Sequence, residues 1–222
     1  PRGDSFEAAK IFERWDPARK IAVQYWPQGE GGDLRMQNPY WIAYRNPRNT
    51  DKKRYMANVS IAFDILPWLN VSGRAKIDNT NSIFTQKLYA SSNTTITEGS
   101  TQGHYTEIRN TDEQIYADVM VNINKTFADN KFSLVANVGA SVNDTKSKEL
   151  SYRGPIREVG IPNMFTVFDL DKEKSRAQKY GWQEQTQSIF ASVEMGYKSM
   201  LYLTVTGRND WASQLAGSPQ RS

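Results

Sequence analysis

The chain has 222 residues, no cysteine, 38% hydrophobic residues and a formal net charge of +4. Disulfides and thiolate metal sites are therefore excluded, and no apolar run approaches the roughly 20 residues of a membrane-spanning helix. Lysine and arginine are spread among 24 acidic residues rather than gathered into a stripe, which argues against nucleic-acid binding. Membrane strands remain possible, because each needs only about 9 to 11 residues of which about half are apolar.

Residues 1–53 carry helix and loop signals. Apolar residues recur near helical spacing over Ser5–Trp15, with Ser5 as a candidate N-cap, so a short helix is predicted there. Glycines and prolines then punctuate a segment rich in tyrosine and tryptophan, which predicts an aromatic loop leading into the first strand.

Three hairpins come next in the chain, at about 54–78, 113–143 and 184–208, within a predicted wall segment of residues 54–211. Apolar residues occupy alternate positions in both arms of each hairpin. The positions between them carry mostly asparagine, serine, threonine and scattered charges. A period of two gives each strand one apolar face and one polar face.

The connections differ in length. Turns inside the hairpins are short, whereas polar loops are predicted at 79–112 and 144–183, and residues 212–222 begin a further outer loop. Short turns alternating with long loops are typical of outer-membrane barrels, while a soluble sandwich spaces its turns more evenly. Aromatic residues near strand ends fit a headgroup girdle and ordinary core packing about equally.

We therefore predict an all-β fold, with antiparallel up-and-down hairpins that form part of a large transmembrane β-barrel and carry long outer loops. Six strands are too few to close a membrane barrel, and an open sheet would leave unsatisfied backbone groups in lipid. The sequence is accordingly expected to be an internal section of a larger barrel.

Short motifs fall in register with these hairpins: NPYW at 38–41, PWLNV at 67–71 and TGRNDW at 206–211. Over residues 38–215 the sequence resembles the SusC/RagA family of TonB-linked outer-membrane proteins of Bacteroidetes, with the starch-utilisation members the nearest in pattern. The TGRNDW stretch is the most specific element of this resemblance.

The resemblance implies a multi-pass bacterial outer-membrane protein, with a barrel of about 22 strands closed by an N-terminal plug. It implies import of oligosaccharides, in particular starch-derived maltooligosaccharides, with energy passed through TonB. It also implies a SusD-like surface lipoprotein as a glycan-binding lid. The plug, the TonB box and the closing strand are expected outside this chain.

Sugar binding needs aromatic faces beside hydrogen-bonding side chains. The candidate ligand-binding residues are Tyr40, Trp41, Tyr44, Tyr180 and Trp182. The alternation predicts polar side chains facing the barrel lumen, namely Arg74, Lys76, Asp78, Asp118 and Arg208. Neither a cofactor nor a metal site is predicted, and no catalytic residue, because His104 is the only histidine and is expected to be a solvated loop residue.

Two alternatives remain open from the sequence. The first is a soluble β-sandwich that serves as a carbohydrate-binding or adhesion module. The second is a TonB-dependent receptor for siderophores or vitamins, which would share the barrel.

Overall fold

The computed structural model of the protein describes residues 9–25 and 37–217. The chain divides into two compact units. The wall unit comprises Lys53–Asn81, Thr111–Lys148 and Gly181–Ser222. The loop unit comprises Pro1–Lys52, Ser82–Asn110 and Glu149–Tyr180.

Six long strands form one antiparallel sheet in which each strand pairs with the next along the chain. They are β3 (Arg48–Leu66), β4 (Leu69–Tyr89), β5 (Gly103–Phe127), β6 (Phe132–Pro155), β7 (Arg176–Tyr197) and β8 (Leu201–Ala212). The smaller elements are strands β1 (Glu13–Asp16) and β2 (Ile21–Gln24), helix α1 (Pro39–Arg45), and 3-10 turns at Val167–Asp169 and Ser213–Leu215. This architecture confirms the predicted up-and-down hairpins of a barrel wall.

The cross-strand register agrees with the predicted period of two. Val193 pairs with Val205. One position along, Ser192 pairs with Thr206. Directly paired residues share a face of the sheet, so the apolar positions of one strand meet the apolar positions of the next.

The strands extend well beyond the predicted hairpins. Loops were predicted at 79–112 and 144–183, but the connections are only residues 90–102 and 156–175. The additional strand segments are mostly polar and lack a regular apolar alternation, so hydropathy gives only a weak strand signal there. Backbone pairing with the neighbouring strands holds them in the sheet.

The amino-terminal prediction is met only in part by the described residues: Ala9 is helical, but the helix does not extend to Trp15. Of the helix predicted over Ser5–Trp15, residues 5–8 lie outside the described ranges, and Glu13–Asp16 is strand β1, paired with β2. Helix α1 lies where a loop was predicted. Its first residue is Pro39. The side chain of Asn38 caps the helix by accepting a hydrogen bond from the backbone N–H of Tyr40 at 2.9 Å.

The long strands form a single sheet in the described ranges, accompanied only by the β1–β2 pair. Two packed sheets are therefore not seen there, which argues against the β-sandwich alternative. Within residues 9–25 and 37–217, the helices are too short or too polar to cross a bilayer.

Buried apolar residues are concentrated in the loop unit. They are Ala9, Trp41, Leu88, Ala90, Tyr105, Ile156 and Leu170. The wall unit contributes Ala136 to this set.

Candidate functional site

The polar face of the wall unit carries ion pairs between neighbouring strands. Arg54 of β3 donates from Nε to Asp78 Oδ1 of β4 at 2.8 Å, and its Nη2 also contacts the same carboxylate. Lys76 Nζ lies 3.8 Å from Asp78 as well. Because side chains that pair across adjacent strands must share a face, these residues lie on one side of the sheet.

The same face continues from β4 to β5. Arg74 Nε donates to Asp118 Oδ2 at 2.8 Å, and the guanidinium lies 5.6 Å from the ring centre of Tyr116. Asn122 donates to Asn70 Oδ1 at 3.1 Å. The predicted polar residues Arg74, Lys76, Asp78 and Asp118 are therefore brought together, chiefly as partners of one another.

Arg208 lies on the corresponding face of β8. It donates to Asp210 Oδ1 at 2.8 Å and to Ser188 Oγ at 3.1 Å. Its guanidinium lies 5.9 Å from the ring centre of Phe190. Phe190 in turn covers Gly139, since a Cβ atom at that glycine would lie 2.6 Å from the phenyl ring.

The apolar face of the wall unit is exposed even on inner strands of the sheet. Val119, Val138 and Ile189 are 50%, 47% and 52% exposed. Ser188, the neighbour of Ile189 in the chain, is only 4% exposed. This distribution is the inverse of a water-soluble sheet, in which apolar side chains are covered and polar ones face the solvent.

Aromatic rings and lysines gather at the short turns of the wall unit. Lys125 Nζ lies 4.5 Å from the ring centre of Trp68 and 5.3 Å from that of Phe127. The ring centres of Phe132 and Tyr197 are 5.0 Å apart. Rings and cations at one level suit the boundary between hydrocarbon and headgroups.

A second candidate site lies in the loop unit, around α1. Tyr40 and Tyr44 are four residues apart on the helix and therefore share one of its faces. Their ring centres are 6.5 Å apart, and Phe12 lies 5.4 Å from Tyr44 and 6.5 Å from Tyr40. We call these three rings the aromatic cluster. Sequence reasoning missed Phe12, because the helix predicted over Ser5–Trp15 included it.

Trp41 has a different role from the one predicted. It is fully buried, and its Nε1 donates to Ser92 Oγ at 2.9 Å, while Ser92 donates to Asn46 Oδ1 at 3.0 Å. Asn38 is also fully buried and donates to the backbone oxygen of Ala9 at 2.9 Å. Because Trp41 is fully buried, neither face of its ring is accessible to a ligand. The prediction that Trp41 contacts a ligand is therefore wrong.

Tyr180 and Trp182 lie on β7, on another element from the aromatic cluster. They are 66% and 40% exposed, and two residues apart, so they point to the same side of the strand. Both rings remain accessible to a ligand.

His104 was expected to be solvated, and this is wrong. It lies in β5, is 5% exposed, and its Nε2 is 3.7 Å from Glu98 Oε1. Burial lowers the pKa of His104 because the charged imidazolium is poorly solvated, although Glu98 acts in the opposite direction. The pKa of the neighbouring Tyr105 is raised to about 12. The main cause is burial, and the second is the hydrogen bond that its hydroxyl donates to Glu107.

No group of three or more acidic, histidine or cysteine side chains is placed to hold a metal ion in the part of the chain that the structure describes. The carboxylates of Asp78, Asp118 and Asp169 each form a salt bridge with an arginine. Such pairs neutralise the carboxylates that a cation would need.

Comparisons with known proteins place the fold. No protein-family model and no curated protein matches the chain. The solved structure of the RagAB peptide transporter is similar, with a TM-score of 0.71 and 17% identity, over 90% of this chain and 21% of that chain. The RagAB peptide importer in its closed-closed state matches with a TM-score of 0.65 and 17% identity, over 80% and 19% of the two chains.

The chain thus spans about a fifth of the length of the transporters it matches. Its fold is that of a section of barrel wall in these transporter structures, and the described residues do not form a closed barrel of their own. The likeness is one of fold, and it gives no preference to the starch-utilisation members of the resembling family.

Proposed function

We propose that this chain is a section of the barrel wall and outer loops of a SusC/RagA-type, TonB-dependent importer in the bacterial outer membrane. One observation carries the proposal: the wall unit exposes its apolar face and pairs its polar side chains on the other. That arrangement is stable when hydrocarbon covers the apolar face and a wet interior meets the polar face.

The dimensions of the apolar face support this proposal. Between Tyr55 and Ile65, alternate residues of β3 are apolar and exposed. This stretch is about 33 Å long at the usual rise of a strand, and at a tilt of about 40° it covers about 25 Å. An outward apolar band of a barrel has about that height.

In this proposal the lumen-facing residues are Arg74, Lys76, Asp78, Asp118 and Arg208. Their charges are largely neutralised by neighbours, as in the pairs of Arg74 with Asp118 and of Arg208 with Asp210. A surface of internally paired charges and amides offers hydrogen bonds without a strong net field. It suits a neutral, hydroxyl-rich solute.

We propose an oligosaccharide as the substrate, and starch-derived maltooligosaccharides in particular. The candidate contacts are the exposed rings of Tyr44, Tyr180 and Trp182 and the half-buried ring of Tyr40. A SusD-like surface lipoprotein would deliver the glycan, and TonB would act through regions outside this chain. The structural neighbours are peptide transporters, so peptides are the second candidate substrate.

Envelope fractionation of cells that express the full-length protein tests the class. We expect recovery in the outer-membrane fraction and resistance to extraction without detergent. Recovery in a soluble fraction would overturn the importer proposal.

Growth of a deletion strain then tests the substrate. We expect slow growth on maltoheptaose as carbon source, with normal growth on glucose and under iron limitation. A defect confined to peptides would assign the second candidate, and a defect confined to iron limitation would favour a siderophore receptor.

A further inference from the structure

The three rings of the aromatic cluster are nearly parallel but do not form a column. Their planes differ by 8° to 19°. In a column of three rings the outer two centres would be about twice as far apart as neighbours, whereas all three separations here lie between 5.4 and 6.5 Å. Three nearly parallel rings at the corners of a triangle are offset from one another and stack only in part.

Exposure agrees with this geometry. Tyr44 is 64% exposed, whereas Trp41, on the same helix, is fully buried. Helix α1 therefore turns Trp41 into the interior of the loop unit and leaves Tyr44 at its surface, while Tyr40 is half-buried. Large aromatic rings at a surface are costly to solvate, and they commonly mark contact sites.

A salt bridge joins the two chain segments that carry the rings. Arg45 donates from Nε and Nη2 to the two carboxylate oxygens of Glu13, at 2.7 and 2.9 Å. Glu13 directly follows Phe12, and Arg45 directly follows Tyr44. The guanidinium also lies 5.4 Å from the ring centre of Tyr89. The rings are thus pre-positioned, which lowers the ordering cost of binding.

The same salt bridge supplies a polar rim. Both side chains are 31% exposed, so each can reach a ligand. An arginine has five N–H groups, and Glu13 engages two of them. Hydrogen bonds from a charged donor or to a charged acceptor are among the stronger ones in proteins.

We propose that Phe12, Tyr40 and Tyr44, with Glu13 and Arg45 at their edge, form a binding platform for a pyranose ring of an oligosaccharide. The apolar face of a pyranose would stack on the rings, and its hydroxyl groups would meet the rim. This inference rests on the proposed importer function and assigns one of its sugar contacts. It concerns capture of the glycan rather than its passage, because the platform belongs to the loop unit and the proposed lumen residues to the wall unit.

A sugar fits this surface better than a peptide does. Peptides are recognised mainly through their backbone, along an open strand edge, or through side chains in a groove. The platform presents ring faces and one neutralised ion pair.

Titration of the purified full-length protein with maltoheptaose, in detergent and followed by calorimetry, tests the proposal. We expect Tyr44→Ala to raise the Kd about tenfold, since stacking on an aromatic ring is typically worth about that much, and Tyr44→Phe to stay within about twofold. Phe168→Ala is the matched control, because Phe168 is 76% exposed and lies outside the platform. Its Kd should not change.

Uptake of labelled maltoheptaose in cells separates this proposal from the importer function. We expect Tyr44→Ala to raise the half-saturating concentration and to leave the maximal rate unchanged. If the wild-type protein imports maltoheptaose and Tyr44→Ala alters neither the Kd nor the half-saturating concentration, the platform is overturned and the importer stands. If a peptide library binds in a Tyr44-dependent way and maltoheptaose does not, the platform is assigned to peptides and our proposal fails.

Discussion

The two units of this chain place the same apolar residue types differently: the loop unit buries them, whereas the wall unit exposes them. In the loop unit, Trp41, Leu88 and Ile156 are buried, as in a water-soluble domain. In the wall unit, Val205 is 63% exposed on one face, while Ser188 is buried on the other. The difference shows that composition alone does not fix which side chains are covered. The solvent on each surface decides that.

The polar groups differ in the same way. The loop unit places hydrogen-bonded side chains inside a packed interior, as with the bond from Trp41 to Ser92. The wall unit places its ion pairs along an open sheet face, as with Arg74 and Asp118. Substitutions in the two units should therefore fail for different reasons, and four predictions exploit this contrast.

The largest effect is expected in the loop unit. Trp41→Ala should destabilise local structure by about 3 to 5 kcal/mol, because it removes a fully buried ring and leaves a cavity. Hydrogen exchange of the 90–102 connection in the full-length protein would measure this. Tyr44→Ala, an exposed aromatic on the same helix, is the control and should cost little. Equal hydrogen-exchange protection in the two variants would contradict a packed apolar core around Trp41 in the loop unit.

The wall unit should instead be sensitive on its exposed apolar face. If the proposed importer function is right, Val205→Lys should cost about 2 to 4 kcal/mol, because a charge would then enter hydrocarbon near the middle of a strand. Thr206→Lys, one position along and on the polar face, is the matched control. The measurement is the fraction of full-length protein that reaches the outer membrane as a folded, heat-modifiable species. Similar yields for the two variants would break the contrast between the faces.

Close packing on the polar face gives a smaller effect. A Cβ atom at Gly139 would lie 2.6 Å from the ring of Phe190 and 2.9 Å from the backbone oxygen of Val119. Gly139→Ala should therefore cost about 1 to 3 kcal/mol in denaturant unfolding of the micelle-bound protein. Gly207→Ala meets nothing within 4 Å and should be nearly neutral. A larger loss at Gly207 than at Gly139 would refute the packing of Phe190.

The smallest effect concerns acidity in the loop unit. Because burial lowers the pKa of His104 below its ordinary 6.5, the unfolded segment binds a proton more readily than the folded one. The associated stability is present above about pH 6.5 and is lost as the pH falls towards the lowered value. The charged groups facing the ring are Glu98, which favours its protonation, and Arg153, which opposes it.

Hydrogen exchange of strand β5 between about pH 7.5 and 5 would measure this dependence, after correction for the intrinsic exchange rate. Local opening of the wild-type protein should increase as the pH falls through this range. His104→Gln should flatten the dependence, while Glu98→Gln should steepen it, since Glu98 partly offsets the burial. A wild-type profile as flat as that of His104→Gln would rule out the buried, neutral histidine.

Much of the wall could be predicted from alternation. The face on which Val193 and Val205 lie is set by a period of two, which is a local property of every strand. The full lengths of β4 and β5 could not be predicted, because their outer portions are mostly polar and do not alternate regularly. Their pairing depends on backbone hydrogen bonds to strands elsewhere in the sequence.

For the candidate sites, too, the sequence predicted some features and not others. Alternation grouped Arg74, Lys76 and Asp78 on one face, but it could not pair Arg74 with Asp118, which lies 44 residues away. Composition marked the aromatic segment before residue 45. It could not separate buried Trp41 from exposed Tyr44, because that depends on what packs against helix α1.

By itself, the sequence determined the all-β class, the hairpin order and the two faces of each strand, because side-chain direction in a strand depends only on neighbouring residues. The tertiary structure decided where the strands end, which charges neutralise one another and which aromatic rings remain at the surface. Those outcomes depend on contacts between residues far apart in the chain, and no local pattern encodes them.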